Sequence, residues 1–501
     1  MRTVIEVTVL VALAWPAFRF LSLGPIRTFY RGMAILVAIM LALYLLVILL
    51  AAAFLPAVLS VLAPVALAGL LLERWRARPS YGRDAGLPPG SLGLFPRGPW
   101  VSHEFYLEQA AKHGPVFKMS FLHKPMICIL GARLGGEFIR AHSDQLVKPG
   151  VRLNQFIPRG FLRYMKPADH QTYRRIFQSA LTTETLRENE TALREIIREA
   201  LGRMAEESAA TQGEGLQPRE PLRRMLASVF AWLMLGMRTD DPAFPGLIAL
   251  LDSLDLRAAS FVPGHEDRRA LAEIERIIQE RGAGIRERLA RGESPAPSIL
   301  ARLIRDNEAA CEDETILGNL VYMFLIGRVD LTGLFSWTLK LLADNPEWMT
   351  RLESATGGGE NAKAHDLAAR IVRETLRMEQ SEYINRRAIA DIRHQDFLVP
   401  KGWVIRVLVR EGHRDPALFP EPDRFNPDRY LAEHQDPQLF GVDVHSCIGV
   451  SFTDLVTRAV LTEMALGFRW ERVSDGPLQF IPPHWQPGTD FRIRIAPRDA
   501  R

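Results

Sequence analysis

The chain has 501 residues, of which 48% are hydrophobic and 24% are charged, and its formal net charge is +4. This length and hydrophobic content exclude a minidomain and an intrinsically disordered protein. The three cysteines, Cys128, Cys311 and Cys447, are too few and too far apart for a disulfide framework or a Cys-x-x-Cys metal site. Disulfide-rich secreted domains and zinc ribbons are therefore excluded.

The excess of positive charge lies at the N-terminus. Residues 1–83 contain eight arginines and two acidic residues, a net charge of +6, whereas the rest of the chain carries −2. Basic residues beside apolar runs orient membrane segments, whereas a nucleic-acid-binding domain needs a basic face of its own. The distribution therefore favours contact with membrane lipid and predicts no nucleic-acid partner.

Residues 1–83 are predicted to form a membrane anchor with a basic juxtamembrane linker. Residues 33–72 contain no charge, and a transmembrane helix needs only about 20 apolar residues, so a hairpin of residues 33–54 and 57–72 fits. A third apolar segment, residues 4–23, spans the bilayer or lies at its surface. Arginines flank both ends of the hairpin, and the positive-inside rule then places the following domain on the cytoplasmic side.

Residues 84–501 are predicted to form one large domain. Apolar residues recur at helical spacing from about residue 165 to residue 380. Strand signals are confined to three short regions: residues 114–130, where a turn at 123–125 makes a hairpin, residues 397–410 and residues 491–495. The fold class is therefore predicted to be mainly α-helical with a small β-sheet subdomain.

The most informative segment is the decapeptide Phe440-Gly441-Val442-Asp443-Val444-His445-Ser446-Cys447-Ile448-Gly449. An amphipathic helix is predicted directly after it, over residues 450–468. Cys447 thus stands at a helix N-terminus, where free N–H groups and the helix dipole favour the thiolate that a metal requires. The two glycines allow the backbone to approach a flat macrocycle, and Phe440 can pack below it. For an arbitrary cysteine, the alternative is a structural residue at a turn.

This decapeptide closely resembles the haem-binding loop of the cytochrome P450 family, Phe-Gly-x-Gly-x-Arg/His-x-Cys-x-Gly. Five of the six fixed positions are filled, and Asp443 replaces a glycine. The resemblance implies a P450-like haem-thiolate fold, preceded here by N-terminal transmembrane helices. It also implies haem b (iron-protoporphyrin IX) with Cys447 as the axial ligand of the metal. The remaining residues of the loop that are expected to contact the haem are Phe440, Gly441, His445 and Gly449.

A second motif, Glu374-Thr375-Leu376-Arg377, resembles the Glu-x-x-Arg motif of the same family. Residues three apart on a helix share a face and can pair, although such pairs are common at surfaces. The segment 419–425 resembles the family's meander, which supplies a third charge. The resemblance therefore implies a buried structural network of Glu374, Arg377 and Arg424 beside the haem.

Further cationic positions resemble the family's ligands for the haem carboxylates. His170 and Arg174 match an aromatic-or-His-x-x-x-Arg helix, and Arg386 matches a strand arginine. Carboxylates need cationic donors, and arginine can bind them in a bidentate manner. His445, in the cysteine loop, is expected to make a further contact.

The helix predicted over residues 316–343 departs most from the family pattern. Related enzymes carry an acid directly followed by threonine, and the two relay protons to bound dioxygen. Here Gly327 and Asp330 align, but Leu331 takes the threonine position and the hydroxyl belongs to Thr332. One residue rotates a side chain by about 100° around a helix. Asp330 and Thr332 are therefore predicted as catalytic residues, with Thr332 able to act only if the helix is locally irregular.

Arg328 is an unusual charge on this apolar helix. One interpretation is a paired or snorkelling surface residue, and the other is a contact to an anionic substrate or to Asp330. The sequence does not decide between them.

The resemblance covers about residues 84–501 and implies a membrane-anchored monooxygenase. Such an oxidoreductase inserts one oxygen atom from O2 into a lipophilic small molecule. No flavin or nicotinamide motif follows Cys447, so a separate reductase or ferredoxin-type electron donor is expected. The region of about residues 240–270, which includes residues 261–264, is expected over the access channel.

Two alternative functions remain open at this point. The first is a haem-thiolate isomerase or dehydratase that acts on a peroxide without external electrons. Leu331 favours this function, since such chemistry needs no threonine relay. The second is a non-catalytic haem protein that senses a gas or the redox state.

Overall fold

The computed structural model describes residues 86–498 except for nine short gaps, together with four isolated positions before residue 86. The gaps are residues 93–101, 122–123, 150–158, 255–264, 358–360, 381–382, 432–437, 443–444 and 482–483. The anchor predicted for residues 1–83, the segment 261–264 and Asp443 therefore lie outside the described residues.

The described helices are numbered α1 to α14 in chain order. They are α1 (Phe105–His113), α2 (Ala132–Ala141), α3 (Pro167–Ala180), α4 (Thr183–Glu188), α5 (Glu190–Ala210), α6 (Arg219–Leu235), α7 (Phe244–Ser253), α8 (His265–Ala290), α9 (Ile299–Asp306), α10 (Glu314–Asp344), α11 (Pro346–Gly357), α12 (Asn361–Thr375), α13 (Val409–Gly412) and α14 (Val450–Gly467). A π-helical turn, Leu376–Gln380, continues α12.

The described strands are β1 (Gly90–Ser91), β2 (Val116–Phe121), β3 (Lys124–Leu130), β4 (Leu146–Val147), β5 (Ile384–Ala388), β6 (Ile392–His394), β7 (Phe397–Val399), β8 (Val404–Leu408), β9 (Phe468–Ser474), β10 (Gln479–Ile481), β11 (His484–Gln486) and β12 (Arg492–Pro497). One sheet has the order β1-β2-β3-β8-β5-β4, and β9–β12, β10–β11 and β6–β7 form two-stranded sheets. In the larger sheet β8 lies between β3, to which it is parallel, and β5, to which it is antiparallel. Arg386 of β5 pairs with Ile405 of β8.

The central helix, α10, has clear causes for both of its ends. The Asp313 carboxylate accepts hydrogen bonds from the backbone N–H groups of Thr315 and Ile316, which caps the N-terminus. At the other end Pro346 disfavours the helical conformation of the preceding residue. Among the described segments, α10 is the one long and apolar enough to cross a membrane, and 67% of its apolar window is buried in the domain. It is therefore the core helix of this domain.

Two main hydrophobic cores meet near the π-helical turn. The larger core lies among the helices, and a smaller one lies under the sheet, where alternate residues of β8, Ile405 and Val407, are fully buried. Glu379, in the π-helical turn, accepts a hydrogen bond from Arg410 Nε at 3.1 Å and lies 2.8 Å from His103 Nε2. This buried ion cluster stands on the sheet side of the turn.

The expected fold class, mainly α-helical with a small β-sheet portion, is confirmed. The hairpin predicted over residues 114–130 is β2–β3, but two of its three expected turn residues are in the ladder: Lys124 pairs with Phe121, and Pro125 pairs with Ser120. The ladder therefore extends to Phe121 and Lys124, the two residues that border the gap at 122–123. Cys128, in the same hairpin, is fully buried, and burial raises the pKa of its thiol to about 12. It is a neutral core thiol.

Candidate active site

Cys447 lies at the end of a loop that leads into α14. Its backbone N–H donates to the carbonyl oxygen of Phe440 at 2.7 Å, which closes the loop. The N–H of Gly449, the residue that precedes α14, donates to Cys447 Sγ at 3.3 Å. A backbone N–H and a helix N-terminus both favour the thiolate over the thiol. Because the Cys447 side chain is also exposed, it is available to a metal.

The other loop residues serve the geometry of this turn. Gly441 has a φ of +89°, in the region that side chains rarely adopt, so the backbone itself requires glycine there. A Cβ atom at Gly449 would lie 3.7 Å from Cys447 Sγ. Phe440 is partly buried against the helical core. The loop thus holds the sulfur at the surface of the core.

Cationic and imidazole side chains converge beside the loop. The rings of His170, on α3, and His445 have centroids 4.3 Å apart. Arg174, one turn after His170, donates to the carbonyl oxygen of Ser446 at 2.9 Å and to its hydroxyl at 3.3 Å. Helix α3 therefore brings both of its predicted residues to the cysteine loop.

The electrostatics of this cluster point to a bound anion. Burial, followed by the charge of Lys148, lowers the pKa of His170 to about 4 and that of His445 to about 3. Arg174 and Arg386 lower the pKa of His445 further. Both imidazoles are therefore neutral at pH 7. No carboxylate is among the main causes of either shift in the described part of the chain, whereas cations are prominent in both.

These residues fit a haem. His445 Nδ1 is buried and has no hydrogen-bond partner among the described residues. The cations around it repel one another, and a bound carboxylate would reduce this repulsion. When bound, haem supplies the iron that activates O2. Cys447 would ligate that iron. The side chains that would hold the haem carboxylates are His170, Arg174, Arg386, His445 and Lys148.

Glu374 and Arg377 form a buried ion pair at the end of α12. Arg377 donates through Nε at 2.8 Å and through Nη2 at 3.0 Å to the two carboxylate oxygens of Glu374, and both side chains are fully buried. Arg377 Nη1 also donates to the carbonyl oxygen of His413 at 3.0 Å. The pair joins α12 to the segment that follows β8.

The prediction that Arg424 completes this network is wrong. Arg424 is exposed and pairs with Glu421 at 3.3 Å. The third member is Arg429, in the short turn Pro427–Tyr430, whose Nε donates to both carboxylate oxygens of Glu374 at 2.9 and 3.1 Å. The physical reason is that this turn carries the Arg429 side chain into the core, whereas Arg424 remains at the surface.

The middle of α10 has one accessible face. Val329 is 41% exposed, and Leu325, Ile326 and Asp330 are partly exposed, although most residues of this helix are buried. Helical geometry places these four positions side by side. Asp330 therefore lies on the open side of the central helix.

Thr332 lies on the opposite side of α10 from Asp330, because two residues rotate a side chain by about 200° around a helix. It is buried, and its Oγ1 donates to the carbonyl oxygen of Arg328 at 2.7 Å. The helix is continuous from Glu314 to Asp344, so the condition for Thr332 to act, a local irregularity, is not met. Gly327 has a packing role, because a Cβ there would lie 2.5 Å from the ring of Phe230 on α6.

Arg328 is a paired residue, as in the first of its two interpretations, but it is buried rather than at the surface. Its Nη2 donates to Asp252 Oδ1, on α7, at 2.6 Å. Sequence reasoning missed Asp252, and it also missed Lys148 and Arg429. Lys148 and Asp252 belong to no recognisable sequence motif. Arg429 could have been considered, because it lies only five residues after Arg424 in the same meander.

Comparisons with known proteins agree with this geometry. The family model for cytochrome P450 matches residues 90–489. The chain is 23% identical to abscisic acid 8'-hydroxylase 2 of Arabidopsis thaliana, over 82% of this chain and 90% of the relative. It is 24% identical to abscisic acid 8'-hydroxylase 3 of Oryza sativa subsp. indica, over 80% of this chain and 85% of the relative.

The fold also matches a solved structure, the retinoic acid-bound cyanobacterial CYP120A1. The TM-score is 0.67 at 21% identity, over 82% of this chain and 99% of that one. The match of the family model extends from β1 into the loop before β12, and so contains the cysteine loop and the Glu374 network. The chain therefore belongs to the cytochrome P450 family, and it is a haem-thiolate monooxygenase that acts on a lipophilic small molecule.

Proposed function

We propose that this enzyme hydroxylates an isoprenoid of the abscisic acid type, with residues 84–501 as the catalytic domain and Cys447 as the axial ligand of its haem. The observation that carries the site assignment is the Gly449 N–H donating to Cys447 Sγ at 3.3 Å beside the cationic cluster. The named relatives support the substrate class.

In this proposal the haem carboxylates lie among five side chains. His170, Arg174 and His445 are supported by their contacts at the cysteine loop, and Arg386 and Lys148 by their effects on the pKa of His445. Phe440, Gly441 and Gly449 shape the loop that holds the sulfur. Arginine and histidine donors near a carboxylate form charge-assisted hydrogen bonds.

Asp330 is the proposed proton-transferring group. Its position on the accessible face of α10 supports this role, and a carboxylate can take protons from solvent and pass them on. Thr332 is left out of the proposed relay, because its hydroxyl donates to the Arg328 carbonyl oxygen. The relay is thus carried by the acid without a neighbouring hydroxyl.

The proposed enzyme receives electrons from a separate protein and is held at a membrane. Membership of the cytochrome P450 family supports a reductase or ferredoxin-type electron donor. The uncharged run and flanking arginines of residues 1–83 support an anchor that leaves the catalytic domain on the cytoplasmic side.

Fractionation of cell membranes tests the anchor. We expect the full chain in the membrane fraction after an alkaline wash and a chain that starts at residue 84 in the supernatant. Equal partitioning of the two chains would contradict the anchor.

Reconstituted turnover tests the catalytic proposal. The full chain, in detergent or vesicles, is supplied with O2, NADPH and either a reductase or a ferredoxin system, and is incubated with abscisic acid and with farnesol. We expect products with one added oxygen atom only when reductant is present. Asp330→Asn should lower turnover by about 10²-fold, because a general acid contributes at least that much. Thr332→Val should stay within about twofold, a change typical of a residue outside the reacting groups.

Asp330→Asn and Thr332→Val are matched controls, because the two residues lie on opposite sides of the same helix, α10. A Thr332→Val loss as large as that of Asp330→Asn would contradict the assignment of the relay. Conversion of an added organic peroxide without reductant, with no reductant-dependent product, would overturn the proposed hydroxylation and favour the isomerase alternative.

A further inference from the structure

His103 lies two residues before α1, and both of its ring nitrogens contact carboxylates. Its Nδ1 lies 2.9 Å from Oε1 of Glu104, and its Nε2 lies 2.8 Å from Oε2 of Glu379 in the π-helical turn. An ionised carboxylate only accepts hydrogen bonds, and a neutral imidazole has one N–H group. Either neutral tautomer therefore leaves an unprotonated nitrogen within 2.9 Å of a carboxylate oxygen, whereas an imidazolium donates to both carboxylates.

Arg410, on α13, contacts the same two carboxylates. Its Nη2 donates to Glu104 Oε1 at 3.0 Å, and its Nε donates to Glu379 Oε2 at 3.1 Å. Nη2 also lies 3.2 Å from His103 Nδ1, to which it can donate only when that nitrogen carries no proton. Nδ1 therefore has two alternative partners. A protonated Nδ1 donates to Glu104, and an unprotonated Nδ1 accepts from Arg410.

The other charged groups leave this cluster with an excess of negative charge. Arg414 donates to Glu379 Oε1 at 3.3 Å and also pairs with the exposed Asp423. Glu411 is buried on α13, and burial raises the pKa of its carboxyl, so it is left out of the balance. With Glu104, three carboxylates then face two guanidinium groups. A positively charged imidazole makes the numbers of opposite charges equal.

The pKa of His103 follows from these surroundings. Burial lowers the pKa, and the rings of Trp337, on α10, and Trp485, on β11, have centroids 6.1 and 6.0 Å from that of the imidazole. The hydrogen bonds to Glu104 and Glu379 and the charge of Glu379 outweigh burial and the neighbouring guanidinium, so the pKa is raised above its ordinary value of 6.5. Protonation therefore stabilises the folded state. This stabilisation is fully present well below pH 6.5 and is lost as the pH rises through the raised pKa.

We propose that His103 is a protonation switch that fixes the start of α1 to the π-helical turn. In the protonated state the imidazolium bridges Glu104 to that turn. Loss of the proton transfers Nδ1 from Glu104 to Arg410, so residues 102–104 are held less tightly. The buried aromatic residues that begin α1 keep the helix itself docked. Because residues 102–104 follow the proposed anchor, the switch sets how firmly the domain holds the chain that leads to the membrane. The switch involves no substrate and goes beyond the proposed function.

Hydrogen exchange at the start of α1 tests the switch. The Phe105 N–H donates to the Ser102 carbonyl oxygen at 3.3 Å and the Glu108 N–H to that of Glu104 at 3.0 Å, so both amides report opening of this turn. The full haem-loaded chain in detergent is labelled from about pH 5.5 to about pH 9. Each rate is divided by that of an unstructured peptide of the same sequence at the same pH. We expect the corrected rate to rise about 10-fold, as expected for the loss of a hydrogen bond between charged groups. The midpoint should lie above pH 6.5.

Three variants separate the switch from a general effect of pH. His103→Gln cannot carry the charge, so its corrected rate should be high at every pH. His113→Gln, at the other end of α1, is the matched control and should keep the wild-type response. Glu104→Gln removes one of the two carboxylates and should lower the midpoint. Because the Glu104 side chain is 46% exposed, this variant also serves if His103→Gln fails to fold.

A wild-type corrected rate that does not change with pH would overturn the proposal. So would a pH response that survives in His103→Gln, or a midpoint that Glu104→Gln leaves unchanged. Circular dichroism and the carbon monoxide difference spectrum should stay constant over the same pH range. A rise in exchange that coincides with a loss of either signal would mark unfolding of the domain and would also overturn the local switch.

Discussion

Cys447→Ser is expected to eliminate the thiolate-type Soret shift of the reduced, carbon monoxide-bound protein and to reduce monooxygenase activity to background. The serine hydroxyl keeps its proton near neutral pH. It therefore cannot replace the thiolate of Cys447, to which the Gly449 N–H donates a hydrogen bond. The electron density that a thiolate ligand donates to the iron is then lost. The measurement is the difference spectrum of wild type and variant at equal protein concentration, together with turnover.

Cys311→Ala is the matched control for this substitution. Cys311 is also a lone thiol, but it is buried in the helical core, against Gly282. We expect the control to lose a small amount of stability and to keep the full thiolate spectrum. A wild-type spectrum that survives Cys447→Ser would reject Cys447 as the ligand.

The second large effect concerns the Glu374 network. Arg429→Met is expected to lower the free energy of unfolding by about 3–5 kcal/mol, because it leaves part of a buried carboxylate uncompensated. Arg424→Met, its matched control, should change that free energy by less than about 0.5 kcal/mol, since exposed ion pairs contribute little. Urea-induced unfolding of the haem-loaded chain, followed by circular dichroism, measures both.

A larger loss from Arg424→Met than from Arg429→Met would show that the meander has a different register. A double-mutant cycle between Arg429→Met and Glu374→Gln isolates the pairwise energy. We expect strong coupling, because Arg429 Nε lies within 3.1 Å of both carboxylate oxygens. Coupling near zero would contradict the contact.

The parts of the site that could be predicted from the sequence depend on short-range geometry. The spacing from Phe440 to Gly449 fixes a loop closed by its own hydrogen bonds, and α14 follows at once, so the motif carries its structure with it. The pairing of Glu374 with Arg377 follows from helical spacing. The extent of α10 was also predictable, from its mainly apolar pattern and the Asn345-Pro346 that follows it.

The parts that could not be predicted depend on contacts between distant segments. Arg424 and Arg429 lie in the same meander, and only the packing of that segment on α12 decides which one is buried. Lys148 acts on histidines from two other elements. Asp252 reaches Arg328 across 76 positions of sequence. No local pattern contains this information.

The π-helical turn at Leu376–Gln380 has a consequence for how the protein unfolds. Arg377 belongs to the ion network of the helical side, whereas Glu379, two residues later, belongs to the cluster of Arg410 and His103 on the sheet side. One short turn therefore anchors both cores, and neither can open without disturbing charges in the other. We therefore expect the helical and sheet regions to lose structure together rather than in separate steps.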